Sequence, residues 1–212
     1  MDIINPKLEK YIEEHTSSEN ELLAQLNRET HLKVMFPRML SGHVQGKFLE
    51  MISYMLRPEK ILEIGTYTGY SAICLAKGLK KEGRLHTIEI NPELINISDK
   101  YFIEAGLKNQ IIQHVGSALE IIPDLNEMFD LVFIDADKEN YLKYFHLIFD
   151  KVKKGGFILA DNALWDGKVV ESKTQDDKET EGIKKFNDYI QNDKRVENIL
   201  ISVRDGILMI RK

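Results

Sequence analysis

Two strand-like runs in this sequence end on groups that could hold a cation. Asp130-Leu131-Val132-Phe133-Ile134-Asp135 and Gly156-Phe157-Ile158-Leu159-Ala160-Asp161-Asn162 both finish in a carboxylate. If the two are parallel strands, Asp135, Asp161 and Asn162 share the carboxyl rim of the sheet, where α/β folds bind ligands. Two carboxylates and an amide oxygen are hard ligands, suited to Mg²⁺ first and to Mn²⁺ or Ca²⁺ as alternatives. The six histidines are not closely paired and there is one cysteine, so zinc is not expected. Taken singly, each of these residues is also a favoured helix cap after a strand.

A second constellation lies upstream, in Glu63-Ile64-Gly65-Thr66-Tyr67-Thr68-Gly69-Tyr70-Ser71. Two glycines four apart, after a strand and before a helix, let backbone approach a ligand closely. The spacing is neither the Gly-x-Gly-x-x-Gly of a dinucleotide fold nor a P-loop. A carboxylate at Glu63 is poor company for a pyrophosphate and suits a cofactor carrying an ammonium group. Glu89, closing His86-Thr87-Ile88-Glu89, can accept from both hydroxyls of a ribose, a feature that NAD enzymes share. An ordinary strand–helix turn and a capping acid are the plainer readings.

The elements that must position these groups follow from periodicity. Apolar runs at Lys60–Ile64, Arg84–Glu89, Ile111–His114, Leu131–Asp135 and Gly156–Ala160 read as strands, and helical patterns fall near 70–80, 92–106, 117–122 and 139–152. The alternation implies an α/β fold, a mostly parallel sheet with helices on both faces. Residues 5–32 read as helices, with Ser18 and Glu21 as a capping box for the second. Residues 35–42 read as a loop, and Val44, Phe48, Met51, Ile52 and Met55 as the apolar face of a third helix. Residues 171–181 are highly charged and read as a solvated loop or a lid, followed by a helix near 180–191. Val196–Arg204 and Ile207–Arg211 flank Asp205-Gly206, a two-residue hairpin signal that adds an antiparallel pair. The simplest organisation is one domain, with residues 1–57 as a helical extension and 58–212 as the catalytic core.

The 212 residues are 43% hydrophobic and 30% charged, enough for a sizeable core and a wet surface. No run approaches a membrane span, and Met1 to Lys10 show no signal-peptide pattern. The lone Cys74 sits in an apolar run and reads as a small core residue. A cytoplasmic location is the expectation. The net charge of −5 argues against a protein built chiefly to grip nucleic acid.

The blocks Ile134-Asp135-Ala136-Asp137-Lys138-Glu139-Asn140-Tyr141 and Asp161-Asn162-Ala163-Leu164-Trp165-Asp166-Gly167, together with Glu63 to Ser71, resemble the cation-dependent O-methyltransferases of the caffeoyl-CoA and catechol type. The resemblance runs from about residue 35 to the C-terminus. It implies a Rossmann-like S-adenosylmethionine (SAM) methyltransferase fold, a seven-stranded sheet with an antiparallel strand near its end. It implies SAM contacts at Ser41, Glu63, Gly65, Thr66, Ser71, Glu89, Ala118 and Asp137, metal binding at Asp135, Asp161 and Asn162, a base at Lys138, and a homodimer. Asp166 stands where plant members carry a substrate-contacting asparagine, which argues against a plant phenylpropanoid-CoA acceptor. The expected acceptor is a hydroxyl of a small catechol-like or phenolic molecule, with Trp165 either stacking on its ring or anchoring the loop. Rival readings are a tRNA 5-hydroxyuridine O-methyltransferase, a non-catalytic SAM-binding module and, more distantly, an NAD-dependent dehydrogenase.

Overall fold

The computed structural model describes residues 5–171 and 177–212. Three helices lead: α1 (Pro6–Glu14), α2 (Glu21–Lys33) and α3 (Gly42–Leu56). They are followed by β1 (Lys60–Ile64), α4 (Tyr70–Ala76), β2 (Arg84–Glu89), α5 (Ile95–Glu104), β3 (Ile111–Val115), α6 (Ala118–Asp124), β4 (Phe129–Ile134), α7 (Tyr141–Phe149), β5 (Val152–Ala160), α8 (Lys178–Asn192), β6 (Glu197–Ile201) and β7 (Ile207–Arg211). The seven strands form one sheet in the order β3-β2-β1-β4-β5-β7-β6. Strands β1 to β5 are parallel, and β7 runs antiparallel to both β5 and β6. This is the Rossmann-like arrangement expected from the sequence. Strand order reverses between β1 and β4, so the crevice beyond their carboxyl ends is where a ligand fits.

The apolar run of β4 hides a strict alternation. Val132 and Ile134 join the core under α6, α7 and α8, while Leu131 and Phe133 join the core under α2 to α5. Burial on both faces is why these strands read as continuous apolar sequence. Register then sets the rim. Ile64 pairs with Ile134 and Ile134 with Ala160, so Gly65, Asp135 and Asp161 each follow the last pair by one residue.

Several local expectations are corrected. The cap of α2 is Asn20, whose Oδ1 accepts from Leu23 N at 2.8 Å, and not Ser18. α3 buries Gln45, Gly46, Leu49, Glu50, Ile52 and Ser53, packs Phe48 against the core and leaves Met51 and Met55 exposed, so only part of its expected apolar stripe faces inward. Close helix packing explains this: a Cβ added to Gly46 would lie 2.5 Å from the Tyr70 ring and 2.9 Å from Cys74 Sγ. Glycine is therefore required at that crossing, and Cys74 is buried as expected. β5 begins at Val152 rather than Gly156, with a register shift against β4 that accommodates the extra residues. Of the charged stretch 171–181, residues 172–176 lie outside those described, while Lys178 onward is already α8, capped by Asp177. The C-terminal hairpin exists, but Ile201 pairs with Ile207, so residues 202–206 form the connection rather than Asp205-Gly206 alone. Arg204 and Gly206 take positive φ there, and Asp205 is committed elsewhere.

Candidate active site

The cofactor side is built at the ends of β1 and β2. Gly65 has φ +102, and a Cβ there would lie 1.9 Å from the Asp135 carbonyl oxygen, so only glycine lets β1 and β4 converge. Glu63 is fully buried. Its Oε2 accepts from Thr87 Oγ1 at 2.5 Å, and its Oε1 has no partner. Burial pushes this carboxyl up to about 8; the hydroxyls of Ser71 and Thr87 oppose the shift, and Asp135 and Glu89 add to it. An orphaned, buried carboxylate oxygen beside a glycine cradle is a fit for the ammonium of an amino-acid-bearing cofactor such as SAM. Thr66 Oγ1 lies 2.5 Å from Thr87 Oγ1, which ties the glycine loop to the same cluster.

Glu89 accepts Tyr67 N at 2.7 Å on one oxygen and Asn91 N at 2.8 Å on the other. Burial raises its pKa, and these backbone donors restrain it. The carboxylate is thus fixed at the strand end, as ribose recognition requires. Ala118 opens α6 and packs with Ile64 and Ile88 beneath the same rim. Ser41 is buried at the start of α3, and its hydroxyl caps nothing in that helix. The carboxylate of Asp137 is engaged by Tyr144 and Asn140.

The acceptor side is assembled from β4, β5 and distant loops. Asp161 is 3% exposed. Its Oδ2 accepts from Gln45 Nε2 at 2.6 Å and its Oδ1 from Asn162 N at 2.8 Å. Burial and then Asp135 push it up to about 7, against Lys138 and Gln45. Asn162 sits at φ 55 and donates Nδ2 to Asp205 Oδ2 at 3.0 Å. Committing the amide nitrogen to Asp205 leaves the amide oxygen for a ligand. Among the described residues no group of three or more His, Cys, Asp or Glu side chains is arranged for a metal. An all-oxygen set at adjacent strand ends fits a hard divalent cation.

Lys138 is 5% exposed, with Nζ 3.0 Å from Asp135 Oδ1 and 2.7 Å from the Tyr141 hydroxyl. Burial pulls the amine down, but Tyr141, Asp135 and Asp161 outweigh it and the net shift is upward. The side chain is therefore held as an ammonium. Its Nζ lies 5.7 Å from the centre of the Trp165 ring, whose other neighbour is Lys168 at 5.8 Å. Trp165 has φ 47 and an indole N–H that is buried without a partner. Asp166, also at positive φ, is exposed and donates its N–H to Asp205 Oδ1 at 2.5 Å.

Sequence reasoning misses three residues here. Gln45 stands in no motif, Arg204 lies in a loop, and Asp205 reads as a turn residue. Only the Asp-Gly pair carried a signal, and it pointed to a hairpin rather than to the support of Asn162.

Residues 13–212 match the family model described as O-methyltransferase. The chain is 36% identical over 163 residues to a catechol O-methyltransferase of Niastella koreensis, covering 75% of this chain and 73% of that protein. It is 32% identical over 198 residues to caffeoyl-CoA O-methyltransferase 5 of Nicotiana tabacum, covering 87% and 82%. The crystal structure of the O-methyltransferase TomG of Streptomyces achromogenes, in complex with SAM and involved in tomaymycin synthesis, superposes with a TM-score of 0.89 at 29% identity, covering 97% of this chain and 95% of that one. With the fold, the glycine cradle and the orphaned Glu63 already in place, these matches make the chain a member of the class I SAM-dependent O-methyltransferase family.

Proposed function

We propose that this enzyme methylates a hydroxyl of a small catechol-like or phenolic acceptor, with a divalent cation held by Asp135, Asp161 and Asn162. The observation that carries the reading is the amide of Asn162, fixed by Asp205 with its oxygen free beside the two carboxylates of adjacent strands. The relatives named for catechol and caffeoyl-CoA support an acceptor with vicinal oxygens. When bound, SAM supplies the sulfonium methyl group and the cation supplies Lewis acidity toward the acceptor oxygen.

The chain's own residues provide binding, direction and proton control. Glu63 takes the ammonium of the cofactor, Glu89 its ribose, and Ser41, Thr66, Ser71, Ala118 and Asp137 complete its surroundings. Trp165, with Lys138 on one side, offers an aromatic wall for the acceptor ring, and Asp166 borders it. An unperturbed phenol has a pKa of about 10, so its proton must be managed before the oxygen is a good nucleophile. Lys138 orients the acceptor hydroxyl as an ammonium. Lys138 would be favoured as a proton acceptor where the carboxylate charges that keep its amine protonated are offset by a cation held by Asp135, Asp161 and Asn162.

Methyl transfer from SAM to catechol, caffeoyl derivatives and hydroxylated tRNA, assayed with and without chelator, tests the proposal. Chelator-sensitive methylation of a diphenol is expected. Undiminished turnover in chelator, or transfer confined to tRNA, would overturn it. The exposed Met51, Tyr54 and Met55 on α3 support a homodimer; light scattering on the wild type and on Met55→Glu tests that reading.

A further inference from the structure

We infer that Gln45 and Arg204 form a two-residue relay that holds Asp161 in its metal-binding position and ties it to the Leu40–Ser41 segment that leads into α3. The inference rests on the proposed cation site. Gln45 is 0% exposed, and its Nε2 donates to Asp161 Oδ2 at 2.6 Å. Its Oε1 accepts from Arg204 Nη1 at 2.8 Å. The same Nη1 donates to the backbone carbonyls of Leu40, at 3.1 Å, and Ser41.

A carboxamide has one donor end and one acceptor end, and here both ends are chosen by neighbours. A guanidinium only donates and a carboxylate only accepts. Turning the amide over would set donor against donor and oxygen against oxygen, so Arg204 obliges Gln45 to offer its N–H to Asp161. With Asn162 N on Oδ1, each oxygen of Asp161 has one donor within the chain. That locks the plane of the carboxylate and leaves its remaining lone pairs for a cation. Outer contacts of this kind orient metal ligands and tune their affinity.

The three residues come from three elements. Asp161 follows β5, Gln45 lies in α3, and Arg204 lies in the connection from β6 to β7 at φ 49. A non-glycine residue with positive φ carries backbone strain that its surroundings must offset, and the contacts that Arg204 Nη1 shares among Leu40, Ser41 and Gln45 do so. Because Arg204 also grips Leu40 and Ser41, the relay couples Asp161 to the segment that carries Ser41, one of the proposed cofactor contacts. Both are positioning residues, since neither is placed against a reacting atom.

The test is a Mn²⁺ titration, read by electron paramagnetic resonance, on the wild type, Gln45→Met, Arg204→Met and the double variant, with S-adenosylhomocysteine affinity measured in parallel. Gln45→Met should weaken Mn²⁺ binding roughly 10–100-fold with little change in S-adenosylhomocysteine affinity. Arg204→Met should weaken Mn²⁺ less and S-adenosylhomocysteine more, because Leu40 and Ser41 lose their anchor. The double variant should match Gln45→Met for Mn²⁺, since the second loss acts through the first. Additive losses, or Mn²⁺ affinity in Gln45→Met equal to wild type, would overturn the relay while leaving the cation site standing. A wild type that takes up no Mn²⁺ overturns the cation reading, and the relay with it. Arg204 is exposed, so its variant stands even if Gln45→Met fails to fold: unchanged Mn²⁺ and S-adenosylhomocysteine affinity in Arg204→Met would also overturn the relay.

Discussion

Glu63 and Glu89 on one side of the rim, and Asp161 and Asn162 on the other, are supported over very different lengths of chain. Glu63 takes its hydrogen bond from a residue 24 positions away, and Glu89 takes its two from residues 22 and 2 positions away. Asp161 is braced by Gln45 across 116 residues, Gln45 by Arg204 across 159, and Asn162 by Asp205 across 43. Glu63 and Glu89 are thus supported within one strand–helix–strand unit. The bracing of Asp161 and Asn162 exists only after α3 and the β6–β7 connection have docked on the sheet. Changes far from the rim should therefore disturb Asp161 and Asn162 before Glu63 and Glu89, with Arg204 the exception because it also anchors Leu40 and Ser41.

The sharpest way to break that contrast is Asp161→Ala. Turnover should fall roughly 10²–10³-fold or more, with S-adenosylhomocysteine affinity nearly intact by calorimetry. A parallel collapse of both would mean that the two sides are one unit. Next in size is Gly65→Ala. The new Cβ would collide with the Asp135 carbonyl at a φ unsuited to alanine, and a loss of about 2–4 kcal/mol should appear as a lower melting temperature together with weakened cofactor binding. Smaller again is Glu63→Gln, which should lower SAM affinity roughly 10–100-fold through loss of one charge-assisted contact. Mn²⁺ uptake should be unchanged; if it drops as well, the division of the rim is wrong.

Titration sharpens the comparison further. Glu63 and Asp161 have folded pKa values raised from 4.5 to about 8 and from 3.8 to about 7. Each contributes stability that is full below its unfolded value and is lost as pH rises through the folded one. The ligand-free protein should therefore lose melting temperature between pH 5 and 8, and Glu63→Gln should flatten that decline. His86, on the body of β2, behaves oppositely. Burial and His114, whose Nε2 lies 3.0 Å from its Nδ1, lower it to about 4. Its contribution is full above 6.5 and disappears as pH falls toward 4. His86→Phe should blunt the acid-side loss and leave turnover unchanged, the smallest effect of the set. A change in methyl transfer would show that the strand body and the rim are coupled.

Much of the frame is legible in the order of residues. The five parallel strands, the glycine turn and the acids that close β1, β2, β4 and β5 follow from periodicity and from the backbone freedom of glycine, because both are local properties. The inner face of α3 was not legible. Hydropathy marks Val44, Met51 and Met55, whereas close approach to Tyr70 and Cys74 selects Gly46, and steric fit is not written in one helix alone. Nor was the connection of β6 to β7. Asp-Gly between apolar runs has the chemistry of a two-residue turn, but hydrogen bonds from Asn162 and Asp166 claim Asp205 and widen the loop.

Residue order alone puts acids and an amide at the strand ends, and the family resemblance gives the chemistry proposed for them. Tertiary structure decided which of those groups are braced and how. Glu63 keeps an unpartnered oxygen because β1 is covered on both faces. Lys138 is pushed toward its protonated form because Tyr141, Asp135 and Asp161 are brought to it, and Asp161 is oriented because Gln45 and Arg204 arrive from distant parts of the chain. Burial and charge separation depend on distances that only folding sets, so these properties had no counterpart in residue order.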